Sequence, residues 1–419
     1  MRPAAHHQAV LDILSLFEEQ KRPLDHLIQD YFRSRRYAGS KDRRAVHELC
    51  FAVVRGRALS TAILATPVSP RQMVICHLAR QAPGLLEDWT GANHTPNPLS
   101  ASERALVQRA QDPCWAEQVY ANVPREMRVF FDQQLGLDAE PVLLGMSQRA
   151  PMDLRVNTLL ASRDQVLRLL HQDGIEATAT PYSPIGVRLF RPTRLDDHPV
   201  FQKGWIEIQD EGSQLIALLA DPQPGHQVLD YCAGAGGKAL ALGALQQGQG
   251  KIVACDISSA RLRALPARLK RAGLQGVRCV QLPSTQLMAQ RASMDIVLVD
   301  APCSGTGTWR RAPDLPWRQS VEEIQRFPEL QLEILQQASA YVRPGGALVY
   351  ATCSVLPLEN QAVVAAFLQA NPHFALEPVA ELGGLWPQVA DSSGRFLSLW
   401  PHLHGCDGFF AARLRALQP

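Results

Sequence analysis

From about Gly204 onward the chain alternates short apolar runs with helical stretches, and this alternation constrains its fold more than any other feature. The strand candidates are residues 227–230, 251–255, 277–281, 295–300 and 347–352. Such runs separated by helices imply a mainly parallel sheet covered on both faces, an α/β fold. A sheet of this kind binds its ligand beyond the carboxyl ends of the strands. The residues that follow each strand are therefore where a site is expected.

After the first strand, residues 228–238 read Val-Leu-Asp-Tyr-Cys-Ala-Gly-Ala-Gly-Gly-Lys, a strand entering a glycine-rich turn and then a helix. Glycine lets the backbone turn sharply and approach a ligand, and the helix N-terminus favours negative charge. The pair Gly237-Lys238 lacks the Ser or Thr that a P-loop requires. Asp256 closes the next strand, about 20 residues on, where an acid takes both hydroxyls of a ribose. A nicotinamide dinucleotide and S-adenosylmethionine both satisfy this pattern.

The later strands end in cysteines. Strand 295–300 runs into Asp300-Ala-Pro-Cys-Ser-Gly-Thr-Gly307, and strand 347–352 into Thr352-Cys-Ser354. A single buried Cys is usually a small core hydrophobe. Two at the ligand edge of one sheet, with Asp300 and Cys303 sharing a turn, point to covalent thiol chemistry. Position alone does not separate the roles of Cys303 and Cys353. Trp309-Arg310-Arg311 follow, with two roles open: a cationic, aromatic rim for a base, or packing of Trp309 beneath the loop.

The first third of the chain is helical by periodicity. Ala9, Val10, Ile13, Leu14 and Phe17 share one face, as do Leu24, Leu27, Ile28 and Phe32. A basic stretch, residues 33–44, precedes a helix expected over 45–57, with Ser40 as its cap, Asp42 in its first turn, and Arg55 and Arg57 exposed. Tyr31, Phe32 and Tyr37 read as packing residues. Residues 91–101 read as a loop. A strand at 154–157, a helix at 163–172 and strands at 175–181 and 186–191 make a small α+β unit. The expected domains are 1–140, 141–205 and 206–419.

The formal net charge is +2, which excludes little, and the hydrophobic fraction of 46% is ordinary for a globular protein. Nine scattered cysteines suit reduced thiols and a cytoplasmic location. No apolar run suits a bilayer, so no membrane partner is expected, and the N-terminus lacks an apolar signal segment. His402, His404 and Cys406 fall short of the four spaced ligands of a structural zinc site, so no metal is expected.

Several stretches, in this order, resemble the Sun/Nop family of RNA cytosine-C5 methyltransferases, and within it the RsmB-like group. They are Asp210-Glu-Gly-Ser-Gln214, the loop Cys232 to Lys238, Asp300 to Gly307, Arg310-Arg-Ala-Pro-Asp314, Ala351-Thr-Cys-Ser354 with Glu359-Asn360, and Asp407-Gly-Phe-Phe410. The resemblance implies a Rossmann-like class I methyltransferase domain, with S-adenosylmethionine held by Cys232, Ala233, Gly234, Ala235, Gly236, Gly237, Lys238, Asp256, Gln281 and Asp300. It implies Cys353 as the nucleophile that adds to carbon 6 of cytosine, Cys303 as the residue that assists release, and Asp300 as the acid near N3. The helical N-terminus is similar to the NusB-like RNA-binding domain of that group, with Arg43 and Arg44 as phosphate contacts. The stretch Leu154-Arg-Val-Asn157 is similar to the family's RNA-contacting middle domain, which makes Arg155 and Asn157 candidate RNA contacts. The implied substrate is structured RNA, 16S ribosomal RNA first among candidates, acted on by a monomer.

This chain departs from that pattern at two places. Gly234-Ala235 stands where the family has Ala-Pro, and Gln281 where it often has an acid. A competing reading is an RNA-binding ribosome-assembly factor with weak or lost activity, which the intact Asp300, Cys303 and Cys353 oppose. An amino-group methyltransferase would need no thiol, and a nicotinamide oxidoreductase would leave both cysteine motifs unexplained.

Overall fold

The computed structural model describes residues 2–92, 94–115 and 121–418. The chain divides into two compact units, Met1–Arg149 with Trp309–Val321, and Ala150–Thr308 with Glu322–Pro419. The small α+β region expected as a middle domain lies within the second unit.

The first unit is helical. Its helices include Pro3–Gln20, Leu24–Arg33, Ser40–Arg55, Pro70–Gln81, Ala101–Ala110 and Arg125–Leu135. The periodic apolar residues form its core: Ile13, Leu14, Phe17, Leu24, Leu27 and Phe32 are buried, together with Val46, Cys50 and Val53. The third helix starts earlier than the periodicity suggests. Gly39, not Ser40, is its cap residue, because Asp42 folds back to accept from the Gly39 N–H at 3.2 Å. Nor do Arg55 and Arg57 reach freely into solvent. Arg55 donates to Gln148 O at 3.1 Å, and Arg57 pairs with Glu18 and lies 4.4 Å over the Trp317 ring.

Trp309–Val321 belongs to this helical unit although the sequence around it does not. Trp309 is buried, its ring 5.0 Å from that of Phe131, and Trp317 packs on the helical core. Asp314 accepts from the Leu24 N–H at 3.2 Å and pairs with Arg318 at 2.9 Å. Packing is thus the role Trp309 takes here, not that of an exposed rim.

The second unit holds two sheets. Strands β1 (Met152–Val156), β2 (Ala177–Ala179), β3 (Gly186–Leu189) and β4 (Ile206–Ile208) form an antiparallel sheet in the order β2-β3-β1-β4, with the helix Arg163–Gln172 beside it. The large sheet contains β5 (Gln227–Asp230), β6 (Lys251–Asp256), β7 (Val277–Gln281), β8 (Met294–Asp300), β9 (Val342–Thr352), β10 (Phe374–Glu377), β11 (Leu397–Leu399) and β12 (Phe409–Ala416). Its order is β10-β12-β9-β8-β5-β6-β7, with β11 also pairing β12. Strands β5 to β9 run parallel and β12 returns antiparallel to β9. This is the α/β, Rossmann-like arrangement expected from the alternation. The carboxyl ends of β5, β6, β8 and β9 therefore open on one edge.

Candidate active site

The glycine loop after β5 is stitched to both neighbouring strands. The Tyr231 N–H donates to Leu298 O at 2.9 Å and the Ala233 N–H to Cys255 O at 2.7 Å. Gly236 caps the helix Gly237–Leu245 with φ +82, and a Cβ there would lie 2.3 Å from Leu265 Cδ1. Glycine is required on both counts. Gly234 also has a positive φ, +55, but faces open space. Its N–H donates to Asp256 Oδ2 at 2.9 Å, while Asp256 Oδ1 accepts from the Ser258 N–H at 2.8 Å. A carboxylate has about four lone-pair sites, so Asp256 keeps acceptors for a ribose diol.

These groups line a cavity of about 880 Å³ in the second unit. Cys232, Ala233, Gly234, Ala235, Gly237 and Lys238 form one wall, and Asp256, Ile257, Leu282, Pro283 and Met288 another. Asp300, Cys303 and Cys353 also line it. Gly236 acts from behind the wall by shaping the turn. Gln281 does not reach the cavity: it is exposed and its amide donates to Ile257 O at 3.5 Å. Alternation along β7 explains this, since Val280 turns inward and Gln281 outward. The sequence reading missed Ile257, Leu282 and Met288. The signal for Ile257 and Leu282 was position alone, immediately after the ends of β6 and β7, whereas Met288 ends the short helix Thr285–Met288 that follows. An adenosyl amino acid needs acceptors for its ribose, an apolar wall for its base and N–H groups for its carboxylate. The wall residues, Asp256 and the loop supply these, so the chain's own residues fit S-adenosylmethionine.

Beside the loop, Lys238 Nζ donates to Asp300 Oδ2 at 2.6 Å. Burial opposes charge on Lys238, but the carboxylate of Asp300 outweighs it and raises the ammonium's pKa. Asp230, at the end of β5, is fully buried, and burial followed by the nearness of Asp300 pushes its carboxyl up to about 7. The Sγ atoms of Cys303 and Cys353 lie 3.4 Å apart. The hydrogen bond with Cys353, and then burial, push the Cys303 thiol well above its ordinary range.

The RNA-contact candidates fall in two environments. Arg155 and Asn157 are interior, 2% and 3% exposed. Arg155 donates to Gln209 Oε1 and to Gly237 O, bracing the glycine loop from beneath, and Asn157 donates to Gly204 O and Ala272 O. Side chains so placed position the loop and the small sheet. Arg43 and Arg44 are exposed, and with Arg33, His47 and Phe32 they line a groove of about 500 Å³ in the helical unit. Among the described residues no group of His, Cys, Asp and Glu is arranged to hold a metal, and His404 accepts from the Trp400 N–H. No helix among them is long and apolar enough to cross a membrane.

Comparison with known proteins agrees with this geometry. Residues 217–415 match the model of the 16S rRNA methyltransferase RsmB/F family, and residues 130–196 the ferredoxin-like domain of the RsmF/B-like methyltransferases. The ribosomal RNA small subunit methyltransferase B of Yersinia pseudotuberculosis is 33% identical over 403 residues, covering 89% of this chain and 90% of the relative. That of Photorhabdus laumondii is 37% identical over 269 residues, 64% of this chain and 60% of the relative. A solved methyltransferase homolog from Pyrococcus horikoshii is 29% identical, with a TM-score of 0.59, over 68% of this chain and 93% of its own. The helical unit, the cysteine-bearing sheet edge and the adenosyl cavity thus come with a family: the chain belongs to the RsmB/F family of S-adenosylmethionine-dependent 16S rRNA methyltransferases.

Proposed function

We propose that this protein methylates carbon 5 of a cytosine in 16S ribosomal RNA through a covalent adduct on Cys353. The observation that carries the reading is the thiol pair, 3.4 Å apart, lining one cavity with Asp300 and the glycine loop. S-adenosylmethionine, when bound, supplies the electrophilic methyl group. Carbon 5 of cytosine is a poor nucleophile until a thiolate adds at carbon 6 and makes an enamine of the ring. The Cys303 and Cys353 sulfurs lie within hydrogen-bonding distance, and the family motif Thr-Cys-Ser at 352–354 makes Cys353 the attacking group. Asp300, oriented by Lys238, supplies a proton to N3 of the base in its protonated form, which neutralises the negative charge that addition at carbon 6 develops there. After transfer, the Cys353 sulfur is expelled as the carbon-5 proton leaves: the Cys303 S–H protonates the departing sulfur, and the Cys303 thiolate so formed takes the carbon-5 proton. The groove bearing Arg33, Arg43 and Arg44 supplies phosphate contacts to the RNA.

The test uses two variants with RNA and cofactor. Cys303→Ala is expected to accumulate a stable protein–RNA adduct, and Cys353→Ala to give neither adduct nor methylation. An adduct that persists in Cys353→Ala would sink the assignment. Bisulfite mapping of 16S rRNA from a deletion strain then identifies the base.

A further inference from the structure

Glu359 does not line the cavity, yet it is fully buried. No cation among the described residues pairs with it. Burying an acid is costly unless hydrogen bonds replace its water. Here they come from both cysteine turns. Oε1 accepts from the Ser304 N–H at 2.8 Å and from Gln331 Nε2 at 3.0 Å, and Oε2 from the hydroxyls of Ser304 and Ser354, each at 2.5 Å. Ser304 follows Cys303 and Ser354 follows Cys353.

The neighbouring groups hold the other side of each cysteine. Gln331 Nε2 also donates to Pro302 O at 3.0 Å, just before Cys303. Asn360 accepts from the Thr352 hydroxyl at 2.6 Å, just before Cys353, and donates to Ser354 O at 2.9 Å. The turns also meet directly, through the Gly307 N–H to Cys353 O at 2.9 Å and through Thr306 with Ser354 at 3.1 Å. Ser304 Oγ also lies 3.3 Å from Ser354 Oγ, and both hydroxyls converge on the carboxylate. Only an acceptor-only group takes a backbone N–H, an amide and two hydroxyls at once. A core filled with an apolar side chain would satisfy none of them.

We propose that Glu359 is a positioning residue, which holds the Cys303 and Cys353 turns in register so that the two thiols stay close enough to act on one base. For its kinetic consequence the proposal rests on the cytosine-methylation reading. Addition needs only Cys353, whereas release needs both thiols. Loosening the register should therefore slow release more than addition.

The experiment has two arms on the full-length protein, with Glu359→Gln and, as a smaller perturbation, Ser304→Ala. The first arm uses phenylarsine oxide, whose arsenic–oxygen bond exchanges for two arsenic–sulfur bonds with two thiols and loses one water, with no change of oxidation state. Peptide mass mapping reads the Cys303–Cys353 bridge, and Cys303→Ala and Cys353→Ala are the controls. Wild type is expected to form this bridge, and both variants to need about tenfold or more reagent while binding cofactor normally, as misplacement of about 1 Å costs up to about 100-fold. The second arm follows adduct by single-turnover methylation and kcat and KM by steady-state assay, where Glu359→Gln is expected to accumulate adduct and to lower kcat and KM for RNA together, with kcat/KM near wild type. Wild-type bridging and wild-type release in both variants would overturn the proposal. If Glu359→Gln does not fold, Ser304→Ala decides by the same two readouts. If the wild type methylates no cytosine, the functional reading falls, and the arsenical arm alone still decides whether Glu359 sets the thiol separation.

Discussion

Lys238 Nζ lies 2.6 Å from Asp300 Oδ2, which ties the helix after the cofactor loop to the end of β8. The pair joins the cofactor side of the cavity to the side that bears the thiols. Lys238→Met removes the donor that orients Asp300 and is expected to lower kcat by about 100-fold. Lys238→Arg should not restore it, because a planar guanidinium does not replace a compact ammonium at this site. Steady-state methylation assays check both variants; wild-type kcat in Lys238→Met would remove the orienting role.

Asp230 predicts a pH dependence of stability. Its carboxyl titrates near 7 in the folded protein, through burial and then the proximity of Asp300, against about 4 in an unfolded chain. A raised acid favours the folded state when protonated, so its contribution is full below about pH 4 and is lost as pH rises through about 7. Asp230→Asn never acquires the charge. It should match wild type in acid and exceed it at about pH 8 by a few kcal/mol, because each tenfold change in proton affinity is worth about 1.4 kcal/mol. Urea unfolding of both proteins across this range tests the sign; a gap that narrows toward alkaline pH would contradict it.

The two left-handed glycines of the loop should differ in their response to alanine. Gly236→Ala places a methyl against Leu265 as well as straining the backbone, and about 3 kcal/mol or more of stability is expected to go, with weaker cofactor binding. Gly234→Ala faces open space and carries only the left-handed penalty, about 1–2 kcal/mol. Thermal unfolding and calorimetric titration with the cofactor compare them directly, and equal losses would refute the steric argument.

Salt dependence separates surface contacts from buried braces. Replacing Arg43 or Arg44 with Glu should weaken RNA binding and reduce the slope of log K against log salt by about 0.7 or more per lost contact. Arg155→Ala should lower stability and cofactor affinity while leaving that slope unchanged, because the side chain is 2% exposed and its Nη1 donates inward to Gln209 and Gly237. Filter binding over a salt series provides the comparison.

Much of the sheet was legible because buried parallel strands are apolar runs cut off by polar turns. The limits of β5 and β7 are those expected from the residues alone. β10 and β11 were not legible, since segments of four and three residues become strands only by pairing with β12. The glycine loop and both cysteine turns were visible as local motifs. Burial was not. Arg155 and Asn157 look like surface polar residues in sequence, and nothing local reveals that Gly237 and Ala272 come to meet them. Glu359 is the same case at the site: its motif was visible, but not that it joins the adjacent Cys353 turn to the Cys303 turn 55 residues away.

The excursion of Trp309–Val321 bears on how this protein can be cut. The chain passes between its two units at residue 149, again after Thr308, and a third time at Glu322. A fragment beginning at Ala150 would carry that excursion without the helices that bury Trp309 and hold Asp314. It would present two tryptophans to water in the stretch that follows Cys303. Truncation to a catalytic half is therefore expected to aggregate unless the excursion is replaced by a short polar linker. A natural relative that lacked the helical unit would have to have rebuilt these residues as well.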